Sequence, residues 1–446
     1  MKRKAVLIAG ASSGSGKTTL TLGLMAALKN MGLDVCGFKS GPDYIDPSLH
    51  KIVTGKPSVN LDTWMMPKDY LERSFQSRAA KADISVIEGV MGIHDGRQPD
   101  SSQGSTAELA AWLKVPVVLV VSTNSMARTA AAIVNGLVDF DPEVKIIGVV
   151  FNNVGSLKHY EILEKAVNTY CSIPALGCIP KKNDIDIPSR HLGLYMGEDG
   201  ILDNDKIKVL SDTVSKNVDI ERILLLSEID IKHTDLLLSS SDNFSEHKQK
   251  RIAVARDKAF CFYYEDNFEI LKHLGYEIVF FSPIDDTILP KDADVYYFGG
   301  GYPELYAEAL SKNENMRKAI AEQSKKGAYI YGECGGLMYL GEFLATVDGK
   351  SYPMCGCLPY STVMKAGLQS LGYTEVLPLK EFLFLKSDNP VRGHCFHYSQ
   401  MIDADKNRME NIYSGNPAEK AKGFRIGNTL ASYVHLHFSS LVKVKA

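Results

Sequence analysis

The chain has 446 residues, 45% of them hydrophobic and 23% charged, with a formal net charge of −3. That length suggests two or three domains, each able to bury a core, and the balance excludes a disordered chain. There is no polybasic run, so nucleic acid and anionic membrane surfaces are not expected partners, and apolar stretches such as Val115–Ser122 are strand-length, far short of a membrane span.

The basic start, Met1–Lys4, runs through an apolar segment straight into a glycine-rich stretch without a cleavage pattern, which reads as a β-strand rather than a signal peptide. Ala5–Ala9 is that strand. After it, Leu20, Leu24, Ala27, Leu28 and Met31 recur at helical spacing. Strands are then expected at Val35–Lys39, Ile84–Glu88, Val117–Val121 and Ile146–Phe151, with helices between them. Continuous apolar strands alternating with helices imply a parallel sheet covered on both faces. From about His233 to Lys250 the sequence turns serine-rich and loses its period, so residues 234–250 are expected to link a first domain (1–233) to a second (251–446). Strand–helix alternation restarts at Ile252–Ala255 and continues through Ile278–Phe281, Val295–Phe298 and Tyr329–Tyr331. Two α/β domains in series are the expected architecture. The eight cysteines are scattered, and Cys355 with Cys357 has no second pair at zinc spacing, so reduced thiols and a cytoplasmic location are expected.

Gly10 to Thr19 (GASSGSGKTT) lies between the first strand and the first helix. A strict phosphate-binding P-loop needs glycine where Ala11 stands; starting from Gly10 gives a loop one residue longer. Small residues let backbone amides close around a phosphate, and the helix that follows points its N-terminal amides at the same anion. Lys17 would meet the outer phosphates of ATP and the Thr18 hydroxyl would meet Mg²⁺. Mg²⁺ wants further hard oxygens, and Asp43 and Glu88 lie just beyond strand ends, with Asp95 in a turn beyond. Asn152 ends another strand; its amide suits the edge of adenine, though asparagine is also a common loop residue.

Gly332-Glu333-Cys334-Gly335-Gly336 follows a strand and opens a helix. This is the G-x-nucleophile-x-G elbow with cysteine as nucleophile; the helix N-terminus is expected to lower the thiol pKa. An oxyanion hole can come from the bare amides of Gly299–Gly301, with Gly300 and Gly301 as donors. The base is His435, His437, His394 or His397, and the residue pattern does not choose among them.

Together these sites resemble the cobyrinate a,c-diamide synthase family: a dethiobiotin synthetase-like amidoligase joined to a class I glutamine amidotransferase domain. KSGPDYIDP at 39–47, EGVMGIHDG at 88–96, RHLGL at 190–194, GGGYPE at 299–304, GECGG at 332–336 and GHCFHYS at 393–399 carry the resemblance, which spans essentially the whole chain. It implies that Gly14, Ser15, Gly16, Lys17, Thr18 and Thr19 hold the nucleotide, with Asn152 reading adenine. Thr18, Asp43 and Glu88 would surround Mg²⁺, and Lys39, Tyr44, Asp46 and Asp95 would handle a tetrapyrrole polycarboxylate. It makes Cys334 the glutaminase nucleophile and His435 its partner. Two residues depart from the wider pattern. His437 stands where many class I glutaminases carry glutamate, which implies a Cys–His dyad, and Cys395 replaces a more usual glutamate.

The expected reaction is ATP- and glutamine-dependent amidation of the a and c acetates of cobyrinate. Nickel-sirohydrochlorin or a metal-free corrinoid is the alternative acceptor. Cobyric acid synthase and a P-loop ATPase switch are the rival readings; the cysteine elbow opposes the switch. Arg190 and His191 suit substrate or nucleotide contact or a salt-bridged loop equally well.

Overall fold

A computed structural model describes residues 1–181, 200–236, 238–239, 250–387 and 389–444. Arg190, His191 and most of the expected linker lie outside these residues. The chain divides into two compact units, Met1–Leu237 and Leu238–Ala446.

In the first unit, β1 (Lys2–Gly10) is followed by α1 (Lys17–Asn30), β2 (Val35–Ser40), α2 (Ile45–Thr54), β3 (Val59–Leu61), α3 (Lys68–Ala79) and β4 (Ile84–Glu88). Next come α4 (Thr106–Leu113), β5 (Val117–Ser122), α5 (Thr129–Phe140), β6 (Ile146–Val154), α6 (Leu157–Tyr170), β7 (Ala175–Pro180), α7 (Asn204–Asn217), α8 (Ile220–Leu226) and β8 (Glu228–Asp230). The sheet order is β3-β2-β4-β1-β5-β6-β7; β8 pairs antiparallel with the start of β1. Ala5 to Ala9 and Val117 to Val120 are fully buried, as strands sandwiched between helices must be. On one face Val6, Ile8, Val118 and Val120 meet Leu20, Leu24 and Leu28 of α1. Gly23 lets α7 approach α1 closely, since a Cβ there would lie 2.5 Å from Val214. Chain reversal beside β1 leaves the carboxyl ends of β1, β2, β4 and β6 together, and each ends on a predicted site residue or loop.

In the second unit, Leu238–Ser239 forms a short strand, β9, paired with Lys443–Val444 near the end of the chain. Two residues of the expected linker therefore belong to this unit's own sheet structure. β10 (Lys250–Ala255), α9 (Glu265–His273), β11 (Tyr276–Phe281), β12 (Val295–Phe298), α10 (Ala307–Lys312), α11 (Glu314–Lys325), β13 (Tyr329–Glu333) and α12 (Gly335–Leu340) follow. Its main sheet runs β11-β10-β12-β13 in parallel, then continues through Thr429–Ser432, Gly423–Ile426 and Glu410–Asn411. A second sheet places Val391–His397 beside His435–Leu436. Phe260, Phe298, Tyr339 and Leu337 fill the core under the Cys334 elbow. Among the described residues, no helix is long and apolar enough to cross a membrane.

Candidate active sites

The first site grows from the turn between β1 and α1. Gly14 and Gly16 have φ of +72° and +100°, conformations that glycine takes at low cost. Gly16 is also pressed by Asn152, whose Nδ2 would sit 2.0 Å from an added Cβ. Asn152 Nδ2 donates to Ser15 O at 3.0 Å, so this side chain braces the loop. At Gly10 a Cβ would lie 2.2 Å from Ser15 Oγ and 3.0 Å from Lys17 Nζ. Ser15 Oγ is buried, and no described residue reaches it with a hydrogen bond. A concavity that side chains would fill, with an orphaned hydroxyl and an ammonium, fits a chain of phosphates. Lys17 donates to Met91 O at 2.6 Å and Ser12 O at 3.2 Å. Burial, helped by the nearby Lys39 charge, lowers its pKa to about 8. A phosphate anion would reverse that effect.

Glu88 closes β4 as a fully buried carboxylate. Its Oε1 accepts from Thr18 Oγ1 at 2.6 Å and from Lys39 Nζ at 3.3 Å, and its Oε2 faces His50 Nε2 at 2.8 Å. An ionised carboxylate only accepts, so Nε2 is the donor; Ser58 Oγ stands 2.9 Å from the other ring nitrogen. Burial opposes ionisation of Glu88, yet Lys39 and the bonds from His50 and Thr18 hold it well below the usual carboxylate range. Lys39 also meets Asp46 at 2.7 Å and Gly89 O at 2.9 Å. Burial works against its charge too, and Asp46 with Glu88 raise its pKa despite that.

The Thr18 hydroxyl and the Glu88 carboxylate are adjacent hard oxygen donors, which suits Mg²⁺. Asp43 Oδ1 accepts from the backbone amides of Ile45 and Asp46, so this carboxylate is oriented by the helix it caps. Among the described residues, no group of three His, Cys, Asp or Glu side chains forms a ready-made metal cage. Mg²⁺ here would rely on phosphate oxygens and waters for the rest of its shell, as it commonly does. Of the expected substrate residues, Lys39 and Asp46 are buried and paired with each other, Tyr44 is half-buried at the α2 N-terminus, and Asp95 is exposed. Asp95 Oδ2 accepts from Gly92 N at 2.8 Å, bracing the loop above Lys17.

The second site centres on Cys334, which joins β13 to α12 with φ +49° and ψ −96°. A side chain other than glycine rarely holds positive φ, and here the strain presents the thiol at the strand end. Gly336 permits the elbow, since a Cβ there would fall 2.2 Å from Phe298 O. Cys334 Sγ lies 3.8 Å from Phe396 O, on the Val391–His397 strand. That strand pairs His394 with His435. The Gly299–Gly301 turn joins the two residues from the other side. Gly301 N is 3.1 Å from where a Gly335 Cβ would be, and a Gly300 Cβ would strike His435 Cε1 at 2.1 Å. So the Gly299–Gly301 turn lies against both the Cys334 elbow and the His435 ring.

The other histidines have different contacts. His437 Nδ1 sits 2.9 Å from Ser439 Oγ, with its ring against Tyr264. His397 stacks on Tyr433 at 3.8 Å and its Nδ1 meets Ser399 O at 2.8 Å, while His394 faces Tyr373. Burial, then the His394 and His397 charges, push His435 down to about 3.

Residues 6–194 match the family model described as the CobQ/CobB/MinD/ParA nucleotide binding domain. Residues 251–441 match that of the CobB/CobQ-like glutamine amidotransferase domain. The cobyrinate a,c-diamide synthase of Syntrophotalea carbinolica is 41% identical over 440 residues, covering 98% of this chain and 95% of that one. Those of Listeria innocua (42% identity; 97% and 96% covered) and Priestia megaterium (41%; 100% and 96%) are similarly close. The chain belongs to the cobyrinate a,c-diamide synthase family. It is a glutamine-dependent amide ligase.

Within this family member, the thiol departs from the sequence expectation. Burial pushes Cys334 far up, with Glu304, Cys395 and Glu333 adding to the rise and the Gly335 amide opposing it. A helix of six residues is too short to offset that desolvation. Three acids or bases were missed. Glu333 is buried and Glu304 half-buried near Cys334, and desolvation raises both to about 7. His50 supports Glu88; the signal was its place four residues after Asp46, on the same face of α2. Gly335, the residue after Cys334, opens α12, the place where an elbow offers a further oxyanion amide.

Proposed function

We propose that this enzyme converts the a and c acetate carboxylates of cobyrinate to amides, with glutamine as nitrogen source and ATP as activator. One observation carries the reading: Cys334 is strained into an elbow beside the glycine turn that touches His435, in a chain 41% identical over nearly its whole length to a cobyrinate a,c-diamide synthase. His435, neutral at its lowered pKa, takes the thiol proton as Sγ attacks the glutamine side-chain amide. The carbonyl oxygen becomes an oxyanion facing the amides of Gly300, Gly301 and Gly335. The C–N bond then breaks, ammonia leaves with the proton from His435, and water hydrolyses the thioester to glutamate.

At the first site, a substrate carboxylate attacks the terminal phosphorus of ATP, ADP leaves, and ammonia then displaces phosphate from the acyl carbon. Activation is required because a carboxylate is a poor electrophile at neutral pH. Lys17 and the loop amides hold the phosphates and stabilise developing charge. Mg²⁺, held at Thr18 and Glu88, supplies further charge neutralisation when bound. His50 and Lys39 keep Glu88 ionised and aimed.

The test is mass spectrometry of cobyrinate, nickel-sirohydrochlorin and a metal-free corrinoid, each incubated with enzyme, ATP, Mg²⁺ and glutamine. Two successive acid-to-amide conversions are expected on cobyrinate. Conversion of another tetrapyrrole with cobyrinate untouched would sink the substrate assignment.

A further inference from the structure

Tyr297 on β12 and Tyr331 on β13 are ladder partners whose rings stack with centroids 5.3 Å apart. Both hydroxyls go to one buried carboxylate, that of Glu333. Tyr297 OH donates to Oε2 at 2.8 Å, and Tyr331 OH donates to Oε1 at 2.8 Å. A third donor reaches Oε1 at 3.0 Å, the backbone N–H of Leu436. Glu333 precedes Cys334 in the chain, and Leu436 follows His435. One side chain therefore adjoins both members of the dyad, by a peptide bond to the nucleophile and by a hydrogen bond to the residue after the base.

The segment needs such anchoring. His435–Leu436 is a two-residue strand, with ladder partners on one neighbour, His394 and Gly393. Leu436 O accepts from Asn267 Nδ2 at 2.8 Å, and Asn267 Oδ1 accepts from Phe438 N at 2.8 Å. Asn267 holds the C=O of Leu436 and Glu333 its N–H. Simple packing would be served by an apolar residue at this buried strand position, since burying a carboxylate is costly. Having placed an acid there, the fold gives it three donors.

We propose that Glu333 is a positioning residue of the glutaminase: through the Leu436 N–H it holds His435 within reach of Cys334. Its main-chain bond supplies only the positioning share of what a third carboxylate does through the imidazole in a triad. This rests on the Cys334–His435 reading above.

The experiment compares full-length Glu333→Gln, Glu333→Leu and Cys334→Ala with the parent enzyme. Glutamine hydrolysis gives kcat and KM, and urea unfolding gives the folded fraction of each variant. Glutamine keeps an Oε1 acceptor for Tyr331 and Leu436, and its amide nitrogen donates to the Tyr297 hydroxyl, which rotates to accept. Glu333→Gln is expected within about threefold of the parent in kcat per folded molecule. Glu333→Leu is expected to lose about a hundredfold in kcat per folded molecule, with KM for glutamine nearly unchanged. A merely structural role would lower the folded fraction and leave kcat per folded molecule intact. That result, or a Gln variant as slow as the Leu variant, overturns the proposal. Persistent glutamine hydrolysis in Cys334→Ala would instead overturn the site assignment on which it rests.

Discussion

Replacing Gly300 by alanine tests the packing of the dyad with a single methyl group. Gly300 does not have positive φ, so alanine adds no left-handed strain, and its backbone pairing with Phe262 is kept. The added Cβ would stand 2.1 Å from His435 Cε1 and 3.0 Å from Nδ1, whereas ordinary contact begins at 3.4 Å. The imidazole must therefore retreat by about 1.3 Å, a displacement of the size that costs about a hundredfold in rate when it falls on a catalytic group. Retreat is resisted, because His435 is buried and the next residue, Leu436, is bonded through both its N–H and its C=O. The methyl should also cost about 1–3 kcal/mol of stability by overpacking. Steady-state glutamate release measures the first effect and urea unfolding the second. Amidation driven by added ammonium should continue, since it bypasses the damaged step. Glutamine turnover at the parent rate in Gly300→Ala would show that His435 need not sit where the glycine turn places it.

Cys334→Ala should abolish glutamine-dependent amidation while ammonium-dependent amidation persists; loss of both would refute two separable sites. Glu88→Gln should lower amidation with either nitrogen source and raise the Mg²⁺ concentration required, and because it removes one partner of a buried pair it should destabilise by about 3 kcal/mol. Thermal unfolding with and without Mg²⁺-ATP reads both effects. Stability should also carry the signature of Glu333. Burial raises its folded pKa from 4.5 to about 7, so between those values the folded chain keeps a proton that the unfolded chain has released. This contribution is fully present below pH 4.5 and is lost as pH rises through 7, by about 3 kcal/mol at most. Urea midpoints at pH 5 and pH 8 should diverge more for the parent than for Glu333→Gln; equal shifts would refute the raised pKa.

The alternating architecture was legible because the central strands of the first sheet are apolar along most of their length, as in Ala5–Ala9 and Val117–Val121, whereas the short β3, β7 and β8 carry no such signal. The glycine loops were legible as well: Gly16 and Gly336 mark places where a neighbouring atom occupies the space of a Cβ. Burial was less visible. Lys39 and Asp46 carry the charges expected of substrate contacts, and nothing local tells that they neutralise each other beneath the site. Glu333 and His50 were missed for the same reason, since their roles depend on partners 103 and 38 residues away. The thiol pKa was misjudged because a helix terminus is a local feature, whereas desolvation depends on every element packed around the sulfur.

The two sites handle charge in opposite ways, and this follows from their chemistry. Around Glu88 the ions are made permanent: a buried ammonium, two carboxylates and a hydrogen-bonded histidine lie within 3.3 Å of one another in a chain of contacts. Phosphoryl transfer moves charge among oxygens that are already anionic, so fixed cations and a fixed metal ligand lower its barrier without any proton moving first. Around Cys334 burial works the other way. It lifts the thiol and lowers His435, so both are neutral at physiological pH. A neutral thiol is a weak nucleophile, and ionising it creates charge in a dry pocket. That ionisation becomes favourable only when a substrate carbonyl is present to accept the electrons and the Gly300, Gly301 and Gly335 amides to receive the oxyanion. Without glutamine the dyad rests uncharged. On the proposed mechanism ammonia release is thereby tied to an occupied pocket, and the buried thiol is shielded from adventitious alkylation and oxidation, which act on thiolates.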